Sequence, residues 1–145
     1  MINNNFEKKL KSKEFVFTAE TSPPDSTVRS EITDRVLCLK DLADAINVTD
    51  GASAKSHLSS LVVSSIIKDI EIEPILQLTT RDRNRIAIQS DLLGAWTLNI
   101  QNILCIYGDQ VETGDQPETK EVRDLDTLGV INTANYFKKE KKFPS

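Results

Sequence analysis

The sequence predicts an α/β protein with parallel strands. Of the two common parallel architectures it favours a (β/α)8 barrel of the TIM type, with the first four βα units present. Three observations predict this. Four short apolar runs recur about 30 residues apart, the length of one strand-plus-helix unit. Helical periodicity fills the stretches between them. The first run is followed by "ETSPPDS", where a dinucleotide-binding doubly wound sheet needs a G-x-G-x-x-G turn.

The first apolar run is "EFVFTAE", in which Phe15, Val16 and Phe17 read as the start of a buried strand and Pro23 and Pro24 as its stop. The second is "DAINVTD" (44–50), the third "EPILQLTT" (73–80) and the fourth "QNILCIYGD" (101–109). After the first strand, Val28, Ile32, Val36, Leu39 and Leu42 lie on one helical face, with Asp25 or Ser26 placed to cap it. Leu58, Leu61, Val62, Ser65 and Ile66 make the second helix, and Ile88, Leu92, Leu93, Ala95 and Trp96 the third, starting near Asp82. A fourth is expected from Leu125 to Phe137, with Leu128, Ile131 and Ala134 inward. Strands that alternate with helices pair in parallel through right-handed crossovers, and continuous apolar strands suit a covered sheet. Residues 1–14 read as a helical or flexible extension, and residues 15–145 as the barrel portion.

The formal net charge of −4 and the pI near 5.1 exclude a basic surface for nucleic acid or anionic membrane. No apolar run approaches the ~20 residues of a membrane span, and the N-terminus lacks a signal-peptide core. Cys38 and Cys105 have no metal-ligand spacing and only one histidine, His57, accompanies them, so no metal site is expected. Both cysteines read as buried thiols of a cytoplasmic protein, and His57 as a surface residue near a helix start.

Barrel chemistry collects at the C-terminal ends of the strands. Those ends read Glu20, Thr49-Asp50-Gly51, Gln77-Leu78-Thr79 and Gly108-Asp109, so every strand delivers a polar group to one rim. Glu is depleted in strands and is a poor turn former, which marks Glu20 as a site residue. A carboxylic acid at a dry rim retains its proton toward neutrality and suits general-acid work. Gly108 lets backbone approach a ligand, and Asp109 can accept hydrogen bonds from a heterocycle's N–H groups. The three arginines of "RDRNR" (81–85) suit either a phosphate or folate tail or local pairing with Asp82 and neighbouring helices. The acidic segment from Asp109 to Asp126 has no period, and loops of that length are often ligand-facing.

The stretches "FTAETSPP", "NVTDGA", "PILQLTTRDRNRIAIQSDLLGA", "NILCIYGDQ" and "GDQPETKEVRDLD" resemble the methylenetetrahydrofolate reductase family, from about Phe15 to Asp126. The resemblance implies a (β/α)8 barrel that binds FAD at its C-terminal mouth and uses NADH or NADPH to reduce 5,10-methylenetetrahydrofolate to 5-methyltetrahydrofolate. It implies Glu20 as the general acid that opens the five-membered ring, and Asp109 as the aspartate near flavin pyrimidine and folate. It places Thr49, Asp50 and Ala52 on a flavin-contacting turn, joined by Gly108. Gln77 stands where other branches carry histidine, an amide that bonds flavin without titrating. Tyr107 stands where others carry arginine, with ring stacking in place of a charge contact. A complete barrel takes about 250 residues, so the chain is expected to be the N-terminal half of one. It would self-associate or need a second chain, or else be a catalytically silent half-barrel that only binds a partner.

Overall fold

The computed structural model describes residues 5–143. A helix α1 (Asn5–Ser12) precedes β1 (Thr18–Thr21), α2 (Arg29–Leu37), β2 (Ala45–Val48), α3 (Ser60–Asp69), β3 (Pro74–Thr79), α4 (Arg85–Thr97), β4 (Asn102–Ile106) and α5 (Thr127–Glu140). Short 3-10 turns at Ala52–Ala54 and Val111–Thr113 follow β2 and β4. The four strands form one sheet in the order β1-β2-β3-β4, and every pair is parallel.

Which face each strand residue takes decides the architecture. Ala19, Ile46 and Val48 pack with Ile32 and Val36 of α2 and with Val63, Ile66 and Ile67 of α3. Leu78, Ile103 and Cys105 pack with Ile88 and Leu92 of α4 and Val130 of α5. Leu76 packs with Ala95 and Ile100. The three crossover helices α2, α3 and α4, and α5 after β4, therefore cover the same face of the sheet. A doubly wound sheet reverses its strand order and is clothed on both faces. Sequential order with one clothed face is instead the arrangement of four consecutive units of a (β/α)8 barrel. The registered residues Glu20, Asn47, Ile75 and Asn102, with Gln77 opposite Leu104, take the other face. No helix is long and apolar enough to cross a membrane among the described residues.

Several expectations are corrected. Only Thr18–Thr21 joins the ladder as β1, leaving Phe15 84% and Phe17 59% exposed. The Phe17 carbonyl accepts from Asp44 N–H at 2.7 Å and its own N–H donates to the Asp44 carboxylate at 3.0 Å, a side-chain contact that ends regular pairing. In α2, Ile32 and Val36 are buried, whereas Val28 precedes the helix and Leu42 follows it, both exposed. Neither Asp25 nor Ser26 caps α2 by side chain; Ser26 Oγ accepts from Val28 N–H and donates to Glu31, each at 3.0 Å. In α3 the buried stripe is Ser60, Val63, Ser64, Ile66 and Ile67, with Val62 exposed. A run of adjacent apolar residues does not specify which of them faces in. Helix α4 begins at Arg85 because Asn84 caps it, accepting from Ala87 N–H at 3.0 Å; Leu93 and Trp96 lie half-exposed on its outer side. In α5 the inward residues are Val130, Ala134 and Phe137, while Leu128 and Ile131 are exposed. Phe137 stacks on Phe143 and meets Trp96 edge-on, which selects this face.

The cysteines differ from expectation too. Cys38 is exposed just past the end of α2, its thiol donating to the Arg35 carbonyl at 3.5 Å. Cys105 is half-buried under the helices, and burial pushes its thiol pKa up.

The placement of α4 makes a paired prediction. Ile88→Ala, at a fully buried position, should cost roughly 2–5 kcal/mol. Ile86→Ala, two residues away and 74% exposed, should stay within about 0.5 kcal/mol. Urea unfolding of both variants measures this, and equal losses would contradict the assigned helix face.

Candidate functional site

The strand ends converge as the barrel topology requires. Glu20, Thr49, Asp50, Ala52, Gln77, Ile106, Gly108 and Asp109 line one cavity of about 370 Å³ at the C-terminal end of the sheet. A larger cavity of about 830 Å³ lies at the opposite end, bounded by Lys9, Phe15, Phe17, Asp44 and Glu73 among others. Its size does not make it the site, because it lies at the end where barrel folds keep stability rather than chemistry.

Asp50 organises the rim. Its carboxylate accepts from Thr79 N–H (2.8 Å), Thr79 Oγ1 (3.0 Å), Ser60 Oγ (3.2 Å) and the two Arg83 Nη atoms (2.6 and 3.2 Å). Its oxygens are thus committed to the protein, so Asp50 shapes the cavity wall more than it offers a free acceptor. Arg83 also binds Asp91 of α4 at 2.8 Å. Burial works against the Arg83 charge, but Asp50 and then Asp91 outweigh it and raise its pKa.

Free polar groups surround this anchor. Thr49 Oγ1 is buried and has no hydrogen-bond partner among the described residues. Gln77, buried on β3, donates from Nε2 to Glu20 Oε2 at 3.3 Å, which joins the two across β2. Glu20 is exposed, so the dry rim expected of it is absent in this chain. The Asp109 carboxylate accepts from Ser53 N–H at 2.7 Å, linking the turns after β2 and β4. Tyr107 is not part of the cavity lining. It is half-exposed, with the Arg123 guanidinium 3.7 Å above its ring. The ring face is thus occupied by an arginine brought back by the long loop, a cation–π contact in place of the ligand stacking expected of Tyr107.

The "RDRNR" arginines follow the local-pairing reading. Arg81 binds Asp82, Arg83 binds Asp50 and Asp91, and Arg85 binds Asp124. The long loop is tied down by Val122 N–H donating to Arg81 O at 2.7 Å and by Arg123 Nη1 donating to Tyr107 O at 2.7 Å, the Arg123 guanidinium being held by Glu121 within the loop. His57 is half-buried rather than a surface residue, with Nδ1 2.9 Å from Pro23 O and Nε2 3.2 Å from Ala52 O. It joins the loop after β1 to the turn after β2. Ile106, Ser53 and Ser60 escaped the sequence reading: an apolar wall position and a backbone N–H leave no signature in residue type, and the Ser60 hydroxyl meets Asp50 only through the packing of α3 on the strand ends.

The flavin that the family resemblance implies would present a pyrimidine edge of alternating N–H and carbonyl groups. The unpartnered Thr49 hydroxyl, the Gln77 amide and the Asp109 carboxylate supply both donors and acceptors for such an edge. Those residues fit the group.

A sequence model of the family described as methylenetetrahydrofolate reductase matches residues 5–140. No curated protein matches the chain.

Asp124 yields a pH prediction. The Arg85 side chain (2.8 and 3.0 Å), then the Arg85 backbone N–H (2.9 Å), donate to its carboxylate and lower its pKa from 3.8 to about 2. A depressed carboxyl stabilises the fold above its ordinary value and loses that contribution as pH falls through the folded one. The thermal midpoint gap between wild type and Asp124→Asn should hold above pH 3.8 and close as pH drops to about 2. A gap that widens on acidification would refute the pairing.

Proposed function

The chain belongs to the methylenetetrahydrofolate reductase family, a family of folate-reducing oxidoreductases, and on that premise we propose that it supplies the C-terminal mouth of an FAD- and NAD(P)H-dependent reduction of 5,10-methylenetetrahydrofolate. The observation that carries this reading is the single cavity in which Glu20, Gln77, Thr49 and Asp109 meet.

When bound, FAD supplies the hydride, received from a reduced nicotinamide and delivered to the one-carbon unit of the folate. Thr49, just past β2, and Gln77 on β3 would hold the cofactor's polar edge, and Gly108 would let it come close to backbone. Asp50, saturated by Arg83, Thr79 and Ser60, holds the wall of the cavity in place. Glu20 stands at the rim and acts on the folate. Its proton goes to the ring nitrogen that leaves the methylene carbon, the C–N bond electrons go to that nitrogen, and the resulting iminium carbon accepts hydride. Gln77 Nε2, 3.3 Å from Glu20 Oε2, keeps the carboxyl over the cavity and stabilises it once the proton is gone.

The reading separates two carboxylates by experiment. Glu20→Gln should leave flavin reduction by NAD(P)H nearly intact and lower folate reduction by at least ~10²-fold, the scale of a lost general acid. Asp109→Asn should instead raise the flavin midpoint potential, since a carboxylate beside the ring disfavours its anionic reduced form. Rapid-mixing assays of the two half-reactions and a potentiometric titration decide. Equal damage to both half-reactions from Glu20→Gln would move Glu20 out of the acid role. Wild-type protein that stays colourless with added FAD would favour a silent half-barrel.

One observation bears on what the site still needs. Among the described residues β1 and β4 each have one unpaired edge, and the sheet face of Glu20, Asn47 and Leu104 carries no covering helix. We propose that further strands complete the mouth, from a second chain or from more of the same one. Open edges and bare apolar groups such as Leu104 and Phe17 favour association. Sedimentation of the 145-residue chain at micromolar concentration should show species above 16.2 kDa; a monodisperse monomer that unfolds cooperatively would argue against it.

A further inference from the structure

Arg81 sits beneath the rim and has no part in the ligand contacts described above. Only 4% of it is exposed, yet it belongs to no ladder and no helix. A guanidinium has five N–H donors, and here each has an acceptor. Nε and Nη2 donate to Asp82 at 2.8 and 2.9 Å; Nη1 and Nη2 both donate to Gly51 O at 3.2 Å; Nη1 also donates to Asp109 O at 3.3 Å. One side chain from the end of β3 thus holds the turn after β2 and the turn after β4, its neighbours on either side.

The surroundings are shaped around it. Gly51 has φ +57°, and a Cβ there would lie 2.4 Å from Arg81 Nη2. Gly108 has φ +85°, and a Cβ there would press at 3.3 Å on the Cβ atoms of Arg81 and Thr79. Glycine is required at both turns by backbone conformation, and by Arg81 itself at the first. Above it the two loops touch: a Cβ on Gly114 would meet Ala54 O at 2.2 Å, and Ser53 N–H donates to the Asp109 carboxylate.

We propose that Arg81 is a positioning residue for the reaction. By fixing the Gly51 and Asp109 carbonyls on one rigid fork, it sets the spacing between Thr49 and Ala52 on one wall and Asp109 on the other. A lysine cannot reproduce this, because a single ammonium is a point donor without the planar fork. Asp82, with its side chain 45% exposed, is re-solvated when Arg81 is removed, so the loss falls on the two turns. The inference rests on the reading of the rim as the FAD and folate site, but its first readout does not.

The test uses the full chain with Arg81→Lys and Gly51→Ala. In Arg81→Lys the Ser53 amide should exchange with deuterium at least ~10-fold faster, the scale of one charge-assisted hydrogen bond lost. The amides of Ile46, Leu76 and Leu78 should keep their protection. The FAD dissociation constant, read by fluorescence quenching, should rise by a similar factor. Gly51→Ala, which expels the guanidinium, should reproduce both effects, and the double variant should fall well short of the product of the singles. Unchanged Ser53 exchange in Arg81→Lys, or multiplicative effects in the double variant, would overturn the proposal. So would loss of strand protection in both single variants, which would make Arg81 a determinant of the fold instead. If wild-type protein binds no FAD, the functional reading fails while the exchange data still decide the role of Arg81.

Discussion

The Asp50 carboxylate is the constraint on which the rim depends. It lies at the end of β2, 8% exposed, where an unpaired charge would cost several kcal/mol. Arg83, Thr79 and Ser60 meet that cost from three elements at once: the loop into α4, the end of β3 and the first turn of α3. A charge buried this way is a poor source of net stability, since an apolar substitute of the same shape is often as good. Its value here is registration. Moving any of the three elements leaves a buried donor or acceptor unmet, so the end of β2 has one position relative to β3. Thr49 and Gln77, the site residues next to the network in chain or in space, inherit that position.

The chemistry of the rim follows from the same economy. Polar atoms the fold needs are saturated: Asp50 by its five contacts, Arg81 by its five donors, Asp124 by Arg85. Among the described residues Asn47 Oδ1, Thr49 Oγ1 and Ser64 Oγ are buried without a partner, and of these Thr49 borders the cavity that Gln77, Glu20 and Asp109 also line. Buried polar groups in native proteins are almost always paired. A lone hydroxyl beside a cavity is therefore informative about what the cavity accepts. The sheet face of Glu20, Asn47, Gln77 and Leu104, which no helix covers, carries the same message on a larger scale, because a barrel lumen is normally lined by packed branched residues from all eight strands.

The βα repeat, the parallel pairing, the barrel class and the group of strand-end residues were legible in the sequence. Each depends on a short-range cause: strand-length apolar runs, helical spacing between them, and a polar residue where each run stops. Ile32, Val36, Ile88 and Leu92 are buried on the helical faces where periodicity alone places them. The rotation of α3 and α5 was not legible. "SLVVSSII" offers neighbouring apolar stripes, and the choice of Val63 and Ile67 over Val62 is made by the strands beneath. In α5, Phe137 and Val130 win over Leu128 and Ile131 because Trp96 and Phe143 lie on that side. Likewise Phe15 and Phe17 have strand-forming side chains, but a strand needs a partner, and β2 begins only at Ala45.

The sequence by itself determined most of the polar residues that reach the rim, because a strand's end is a local event and side-chain identity travels with it; that Ile106 and not Tyr107 lines the cavity was decided by the fold. It also restricted the "RDRNR" arginines to two roles without choosing between them. Only the tertiary structure chose, since the partners Asp50, Asp91, Asp109 and Asp124 lie between eight and thirty-nine residues away from the arginines they hold. Pairing over such distances follows from chain topology and burial, which no local pattern encodes. The same holds for Tyr107, whose stacking partner Arg123 arrives from across the long loop. Local chemistry names the groups at a barrel's rim; the packing of neighbouring loops decides which remain free to act.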